Sequence, residues 1–193
     1  TFLHNEEIPV TMETNGTLLH RDLAGFIKES SSIWHISVSL DSPRPEYHDK
    51  FRGVEGAFEN AVQGVKNLVE VGIHPQIIMC PHKGNQHELE DLMKFAEKLG
   101  VSSMKFNLVS GVGRGKSLHE KGEGFDFDER LALVRYINNE LQQKTDMPLF
   151  VMLPPALLSV KELLRKGSHG GTCGVIGVLG ILGTGEMALC GIG

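Results

Sequence analysis

Predicted strands and helices alternate along most of this 193-residue chain, and that order constrains the fold more than any other feature. Each helical segment carries apolar side chains at helical spacing, and each strand segment is short and either apolar or alternating. The predicted strands are residues 8–14, 33–40, 74–80, 102–109 and 147–153. The predicted helices are residues 18–30, 57–72, 85–100, 125–145 and 155–166. These β–α units, spaced roughly 35 residues apart, predict an α/β fold with a parallel sheet covered by helices.

The pattern changes near residue 167. The glycine-rich stretch "GSHGG" (167–171) is typical of a linker, and "GVLGILGTGEMALC" (177–190) predicts a short β-hairpin that turns at residues 183–185. We therefore expect one domain over residues 1–167 and the start of a second over residues 168–193.

Composition excludes several classes of protein. The net charge of −5 and the isoelectric point near 6.0 argue against a nucleic-acid partner. No apolar run approaches the roughly 18–20 residues that a membrane span needs, so we expect no membrane partner. Three cysteines, an odd number, fit reduced thiols and a cytoplasmic location. Because the chain starts at Thr1 and stops shortly after Cys190, we expect it to be part of a longer protein.

The stretch "IWHISVSLD" (33–41) alternates strictly between apolar and polar residues, with Ser37, Ser39 and Asp41 on one side. Strands of a doubly wound sheet are apolar on both faces, whereas the inner face of a barrel meets a lumen. Other predicted strands also carry polar residues at alternating positions: Glu13, Asn15, Lys105 and Asn107. The sequence therefore predicts a partial barrel with a polar, ligand-holding inner face.

Two interpretations of these polar residues stay open. Ser37, Ser39 and Asn107 could be small hydrogen-bonded side chains that fill a crowded barrel interior. We favour a binding role for Ser39 with Asp41, because functional residues gather at the carboxyl ends of barrel strands. A hydroxyl and a carboxylate on one face can also bind the two hydroxyls of a ribose.

Several motifs together resemble the radical S-adenosylmethionine (SAM) superfamily: "METNGTLL" (12–19), "VSLDS" (38–42), "YHDKFRG" (47–53) and "MKFNLVSGVGRGK" (104–116). Their order and spacing make the resemblance more specific than any one motif. "CGVIGVLGILGTGEMALC" (173–190) resembles the start of a SPASM or twitch extension, as in peptide-modifying and anaerobic sulfatase maturases. The resemblance implies a partial (β/α)6 TIM-like barrel followed by a short β-hairpin.

The resemblance also implies a function. A radical SAM oxidoreductase or maturase uses a reduced [4Fe–4S] cluster to generate a 5′-deoxyadenosyl radical that abstracts hydrogen, here from a peptide or protein substrate. Its electron donor would be a flavodoxin or ferredoxin. The family's CxxxCxxC loop and the glycine-rich strand after it are absent, and both would lie before Thr1. We therefore expect an N-terminally truncated barrel that is inactive by itself.

By the same resemblance, Ser39 and Asp41 would contact the ribose or the amino-acid end of SAM, and Thr14 and Asn15 would shape the same pocket. Arg52 would bind the SAM carboxylate, since a guanidinium matches two carboxylate oxygens. The alternative for Arg52 is a surface ion pair.

Cys173 and Cys190 would be two ligands of an auxiliary Fe–S cluster, which is half of a complete site. The alternatives are buried thiols beside the hairpin, or zinc ligands. Cys80 lies in an apolar strand and is most simply a small core residue.

Two other functions stay open. A cofactor-biosynthesis radical SAM enzyme of the molybdenum-cofactor type shares the barrel and the "TNG" and "SLDS" motifs. A degenerate, non-catalytic barrel could instead serve as a binding scaffold. In either case the strand at residues 8–14 would be an open sheet edge, so we predict a dimer or a domain-swapped assembly through it.

Overall fold

The computed structural model describes residues 2–30, 32–109, 111, 115–151, 160, 179–182 and 184–188. Its main feature is a parallel sheet in which the order of the five strands in space equals their order in sequence. The strands are Val10–Thr14 (β1), Ile33–Ser39 (β2), Gln76–Met79 (β3), Ser103–Phe106 (β4) and Leu149–Val151 (β5). This single winding direction is that of a TIM barrel, so the predicted α/β fold with a partial TIM-like barrel is confirmed. In the described part, β1 pairs with β2 alone and β5 with β4 alone, so the arc is open.

A short helix precedes β1, and the other described helices lie between successive strands. The helices are Phe2–Asn5 (α1), Arg21–Ser30 (α2), Pro45–Arg52 (α3), Ala57–Glu70 (α4), Leu89–Leu99 (α5), Gly115–Glu120 (α6) and Phe127–Asn139 (α7). The predicted helices at 18–30, 57–72, 85–100 and 125–145 are all present with shorter ends. The predicted helix at 155–166 lies outside the described residues.

The sequence analysis overlooked α3, because residues 41–53 combine prolines and charges. Pro45 occupies the first turn of this helix, where a missing backbone N–H costs nothing. Gly53 ends the helix in the left-handed conformation with φ of 72°. The helix matters for function because it carries His48 and Arg52.

The helix-facing side of the sheet forms the core. Val38, Ile77 and Met104 are adjacent in register and fully buried. They lie in one apolar cluster with Leu68 of α4 and Leu92 of α5. The prediction that the apolar residues of β2 face the helices is therefore confirmed.

The opposite face of the sheet carries the polar residues. Ser37, Gln76 and Ser103 occupy one register row across β2, β3 and β4. The Ser37 hydroxyl donates to Gln76 Oε1 at 3.3 Å, and Gln76 Nε2 donates to Ser103 Oγ at 3.0 Å. All three side chains are buried, so for Ser37 the packing interpretation is correct.

One predicted helix cap is wrong and another is right. In the helix predicted at residues 85–100, the spacing of Asn85 and Glu88 predicts a capping box, but α5 begins at Leu89 after a 3-10 turn and Asn85 makes no capping bond. The Asn85 amide instead donates hydrogen bonds to the backbone carbonyls of Asp41 and Cys80. For the helix predicted at residues 125–145, the sequence offers Asp126 or Asp128 as the cap; Asp126 is the cap of α7, and with Glu129 it forms a reciprocal capping box.

The predicted hairpin is present as two antiparallel strands, Gly180–Ile181 (β6) and Met187–Ala188 (β7). Cys173, Cys190 and the proposed boundary at residues 167–168 lie outside the described residues. No helix in the described part is long and apolar enough to cross a membrane. The predicted assembly through the β1 edge is untested.

Candidate functional site

The carboxyl ends of β3 and β4 open into a cleft of about 1110 Å³. One wall is α3, and the opposite wall is formed by the described residues between 107 and 123. Ligand pockets in proteins usually measure about 300–1,000 Å³, so the cleft has room for a ligand of SAM size. In open parallel sheets, ligands bind at this end of the strands.

Asp41 is the charged centre beneath the cleft, and its side chain is fully buried. The Arg52 guanidinium donates to Asp41 Oδ2 through Nε at 2.7 Å, and its Nη2 lies 2.6 Å from the same oxygen as an ion pair. The backbone N–H of Cys80 donates to Asp41 Oδ1 at 3.0 Å. The buried carboxylate is thus compensated on both oxygens, which the cost of burying a charge requires.

Two further side chains hold the loops around Asp41. The Asp41 N–H donates to His48 Nδ1 at 3.2 Å. The Asn85 amide donates to the carbonyls of Asp41 at 3.0 Å and Cys80 at 3.2 Å, and its oxygen accepts the His82 N–H at 2.8 Å. Asn85 is therefore committed to joining the loops after β2 and β3, which explains why it does not cap α5.

A column of stacked side chains forms the α3 wall of the cleft. Tyr47 and Phe51 lie one turn apart on α3, Arg44 directly precedes this helix, and His82 enters between the two aromatic rings. The His82 and Phe51 centroids are 5.1 Å apart with planes 14° apart, and His82 and Tyr47 are 6.2 Å apart. Arg44 lies over Tyr47 at 5.4 Å and Arg52 over Phe51 at 5.9 Å.

Each end of this column is held by a carboxylate. Arg44 pairs with the buried Glu88, and Arg52 pairs with Asp41. Because both cations are fixed by buried acids, the rings between them have little freedom to shift. The column therefore presents Arg52 to the cleft in a defined position.

His82 is neutral in this arrangement. The Gly84 N–H donates to its Nδ1 at 3.2 Å, so Nε2 carries the proton and donates to the Tyr47 oxygen at 3.3 Å. Burial lowers the pKa of His82, and the nearby Glu123 carboxylate opposes that shift only in part. Burial also lowers the pKa of His48, whose Nδ1 accepts a hydrogen bond in the same way.

The predicted binding residues occupy different positions. Arg52 lines the cleft, whereas Asp41 lies beneath it. The Ser39 side chain is half-buried on the polar face of the sheet, and its hydroxyl has no partner within the described part of the chain. Thr14 pairs in register with Val38, so its side chain is on the helix-facing side, where its hydroxyl accepts the Gly16 N–H at 3.1 Å. Asn15 is exposed and accepts bonds from Thr17.

The "TNG" turn after β1 has a steric reason for its glycine. Gly16 has a φ of 78°, and a Cβ there would lie 2.6 Å from Val38 Cγ1. Gly64 of α4 packs against the same turn, since its Cβ would lie 2.3 Å from the Gly16 carbonyl oxygen. The motif thus lets α4 approach the end of β1 closely.

The sequence analysis missed His82, Asn85 and Tyr47. No metal-ligand spacing surrounds His82, so nothing in its local sequence distinguishes it from the other histidines. The available signal was position, since residues just after a strand of a parallel sheet lie at its ligand-binding end. Among the described residues, no group of three or more His, Cys, Asp or Glu side chains could hold a metal ion.

The cleft carries charge on its rim as well. The described lining includes the lysines Lys50, Lys116 and Lys121 and the acids Glu120 and Glu123. Leu108 and Val109 add apolar surface, and Asn107 adds an amide. An anchored guanidinium, an amide and apolar surface together suit an amino-acid carboxylate joined to a flat heterocycle.

Comparison with known proteins gives a family match. Residues 2–96 match the sequence profile of the Radical SAM superfamily. A similar relative is the AdoMet-dependent heme synthase of Nitratidesulfovibrio vulgaris, 34% identical over 110 residues, which are 57% of this chain and 30% of that protein. Another is the antilisterial bacteriocin subtilosin biosynthesis protein AlbA of Bacillus subtilis, 31% identical over 109 residues, which are 56% of this chain and 24% of that protein. The chain thus spans less than a third of either relative's length.

Solved structures show the same fold. Streptococcus suis SuiB bound to S-adenosylmethionine superimposes with a TM-score of 0.72 at 16% identity, over 97% of this chain and 44% of that one. SuiB bound to the precursor peptide SuiA superimposes with a TM-score of 0.62 at 16% identity, over 78% of this chain and 33% of that one. These likenesses concern the fold of the described sheet and helices.

Proposed function

This chain belongs to the radical SAM superfamily, and from that premise we propose that its cleft binds the S-adenosylmethionine of a radical SAM enzyme. The observation that carries the proposal is the placement of Arg52. Its guanidinium is bound to a fully buried carboxylate and still lines a cleft at the carboxyl end of the sheet. Two of its five N–H groups are used by Asp41, which leaves donors for a ligand carboxylate.

The residues of this chain would share the work of binding SAM. Arg52 would bind the carboxylate, and the open hydroxyl of Ser39 would serve the ribose, as the sequence analysis expected. Leu108 and Val109 offer apolar surface for the adenine. Thr14 and Asn15 would form the turn that borders the pocket.

Asp41 needs a revised role. We expected it to contact SAM directly, but it is fully buried and both of its oxygens accept bonds within the protein. We therefore propose that Asp41 acts through Arg52, as a positioning residue. Loss of its charge would free the guanidinium and leave it without a buried partner.

With a reduced [4Fe–4S] cluster, bound SAM would supply radical chemistry for hydrogen abstraction from the substrate. The described residues provide no cluster site, so their part is to bind, orient and partly enclose SAM. An auxiliary cluster at Cys173 and Cys190, and a flavodoxin or ferredoxin as electron donor, are further parts of the proposal.

For the substrate we propose a peptide or protein side chain. The similarity to a subtilosin biosynthesis protein supports this choice, as does the fold shared with SuiB, whose structure holds a precursor peptide. The second candidate is a step in cofactor biosynthesis. It is favoured by the 34% identity to an AdoMet-dependent heme synthase.

The test is SAM binding and cleavage by the protein expressed from its complete coding sequence and reconstituted with iron and sulfide. Arg52→Lys keeps the charge that Asp41 needs but loses the planar fork. We expect it to weaken SAM binding about tenfold in calorimetry, the loss of about 1.4 kcal/mol. Arg21→Lys is the matched control, because it makes the same exchange at an exposed residue of α2 that does not line the cleft.

Four outcomes have distinct meanings. Equal SAM affinity of Arg52→Lys and the wild-type protein would contradict the role of Arg52. Formation of 5′-deoxyadenosine that increases with a precursor peptide supports the peptide function, and an increase with an iron tetrapyrrole supports cofactor biosynthesis. If the reconstituted protein neither binds nor cleaves SAM, the catalytic proposal is wrong and the binding-scaffold alternative remains.

A further inference from the structure

The polar face of the sheet carries one ion pair that belongs neither to the cleft nor to the buried hydrogen-bond row. Lys105 Nζ lies 3.0 Å from Glu13 Oε1. Lys105 is on β4 and Glu13 is on β1, so two strands lie between them. The neighbouring side chains Ser37, Gln76 and Ser103 are neutral and bond to one another. The Glu13–Lys105 pair therefore supplies the charge in this part of the face.

The contact shows that this face is concave. Neighbouring strands lie about 4.8 Å apart, so a flat sheet would place the Cα atoms of Glu13 and Lys105 about 14 Å apart. Closing that distance would need both side chains fully extended within the plane of the sheet. Their meeting at 3.0 Å therefore places the pair across a curved surface, as expected for the inner side of a barrel arc.

The pair is accessible to a ligand. The Lys105 side chain is 27% exposed and that of Glu13 is 54% exposed. An ammonium has three N–H donors, and Glu13 takes one of them. Within the described chain the other two have no partner. Lys105 shares its register row with Ser39, Ile78 and the half-exposed Phe150, so apolar surface adjoins the charge.

We propose that Lys105 is the substrate-orienting cation of this concave face, that it binds a carboxylate of the substrate, and that Glu13 holds it in place when no substrate is bound. The inference rests on the proposed function, because it names the chemical class of substrate that the proposed enzyme would bind. Glu13 makes the pair neutral, which suits a singly charged carboxylate better than a phosphate carrying nearly two charges. Phe150 and Ile78 suit an apolar group beside the carboxylate.

The experiment compares matched acid and amide probes by NMR titration of the protein expressed from its complete coding sequence. One pair is a blocked tripeptide with a central glutamate between phenylalanines and its glutamine counterpart. The other pair is a propionate-bearing tetrapyrrole and its methyl ester. We expect the wild-type protein to bind the acid of at least one pair about tenfold more tightly. The pair that shows the preference identifies the source of the carboxylate.

Variants separate this role from a structural one. Lys105→Met should reduce the acid preference to about one, and Lys105→Arg should restore most of it. Glu13→Gln should strengthen acid binding, because it removes the competing carboxylate. Lys94→Met is the control, since Lys94 is also ion-paired, to Glu90 at 2.7 Å, but lies on α5.

An equal loss of acid and amide binding in Lys105→Met, or no acid preference in the wild-type protein, would overturn the proposal. Failure of the same preparation to bind SAM would count against the proposed function alone, because probe binding does not involve SAM.

Discussion

Ser37 lies in β2 and Asp41 lies two residues after the end of that strand; both are buried, yet they have different roles. Ser37 is neutral and belongs to a row of hydrogen bonds that links three strands and ends within the sheet. Asp41 is charged and is bound to Arg52, which lines the cleft. The comparison teaches that a polar strand face is not uniform. Its middle stabilises the sheet, whereas its carboxyl end orders the loops that would bind a ligand.

The largest expected difference between the two regions is the loss of stability on substitution of Asp41. Asp41→Ala removes the partner of the Arg52 guanidinium and of the Cys80 N–H, and we expect it to lower the free energy of unfolding by about 3–5 kcal/mol. Ser37→Ala should cost only about 1–2 kcal/mol, the effect of one neutral hydrogen bond and an unsatisfied Gln76 oxygen. Urea unfolding of both variants measures the difference. Equal losses would mean that the two regions are energetically alike.

A second prediction concerns the packing of the cleft wall. A Cβ on Gly84 would lie 2.5 Å from the Tyr47 hydroxyl and 2.8 Å from His82 Cε1. Gly84→Ala should therefore displace the stacked rings and destabilise the protein by about 1–3 kcal/mol. In thermal unfolding, Gly25→Ala is the control with the opposite sign, because open space surrounds Gly25 and alanine favours its helix. If Gly84→Ala is as stable as the wild-type protein, the Tyr47 and His82 side chains can shift at little cost, and the tight packing of the cleft wall is contradicted.

The smallest effect is the pH dependence of the same region. Burial lowers the pKa of His48 and of His82 from the ordinary 6.5, so both are neutral in the folded protein. As the pH falls below about 6.5, the unfolded chain takes up protons that the folded chain refuses, and stability falls until the lowered pKa is reached. The slope is at most about 1.4 kcal/mol per pH unit for each histidine.

Urea unfolding at several values between about pH 7 and pH 5 measures this slope. His82→Gln should flatten it, and His4→Gln is the control, because it makes the same exchange at an exposed histidine of α1. A slope that persists in a variant lacking both His48 and His82 would assign the acid sensitivity to other groups.

Several features could be predicted from local sequence alone. The alternation of strands and helices gave the α/β class, because apolar periodicity reflects which side of each element is buried. The alternation in β2 gave the two faces of the sheet correctly. Asp126 was recognisable as one of two candidate caps of α7, because a helix cap and its partners lie within one turn.

Other features involve partners distant in the sequence and could not be predicted in the same way. Asn85 has the spacing of a helix cap, but it bonds to Asp41 and Cys80, 44 and 5 residues away. His82 becomes part of a stacked column only because α3 folds beside the loop after β3. The Glu13–Lys105 pair joins residues 92 positions apart.

The sequence by itself determined the fold class of this protein, the polar side of its sheet, and the motifs that resemble the radical SAM superfamily. The tertiary structure decided which polar side chains are satisfied internally and which remain open to a ligand. The physical reason is that periodicity and capping depend on neighbouring residues, whereas compensation of a buried charge depends on whatever the fold places beside it. Asp41 is the clearest case, because its role follows from Arg52 and Cys80 rather than from its own motif.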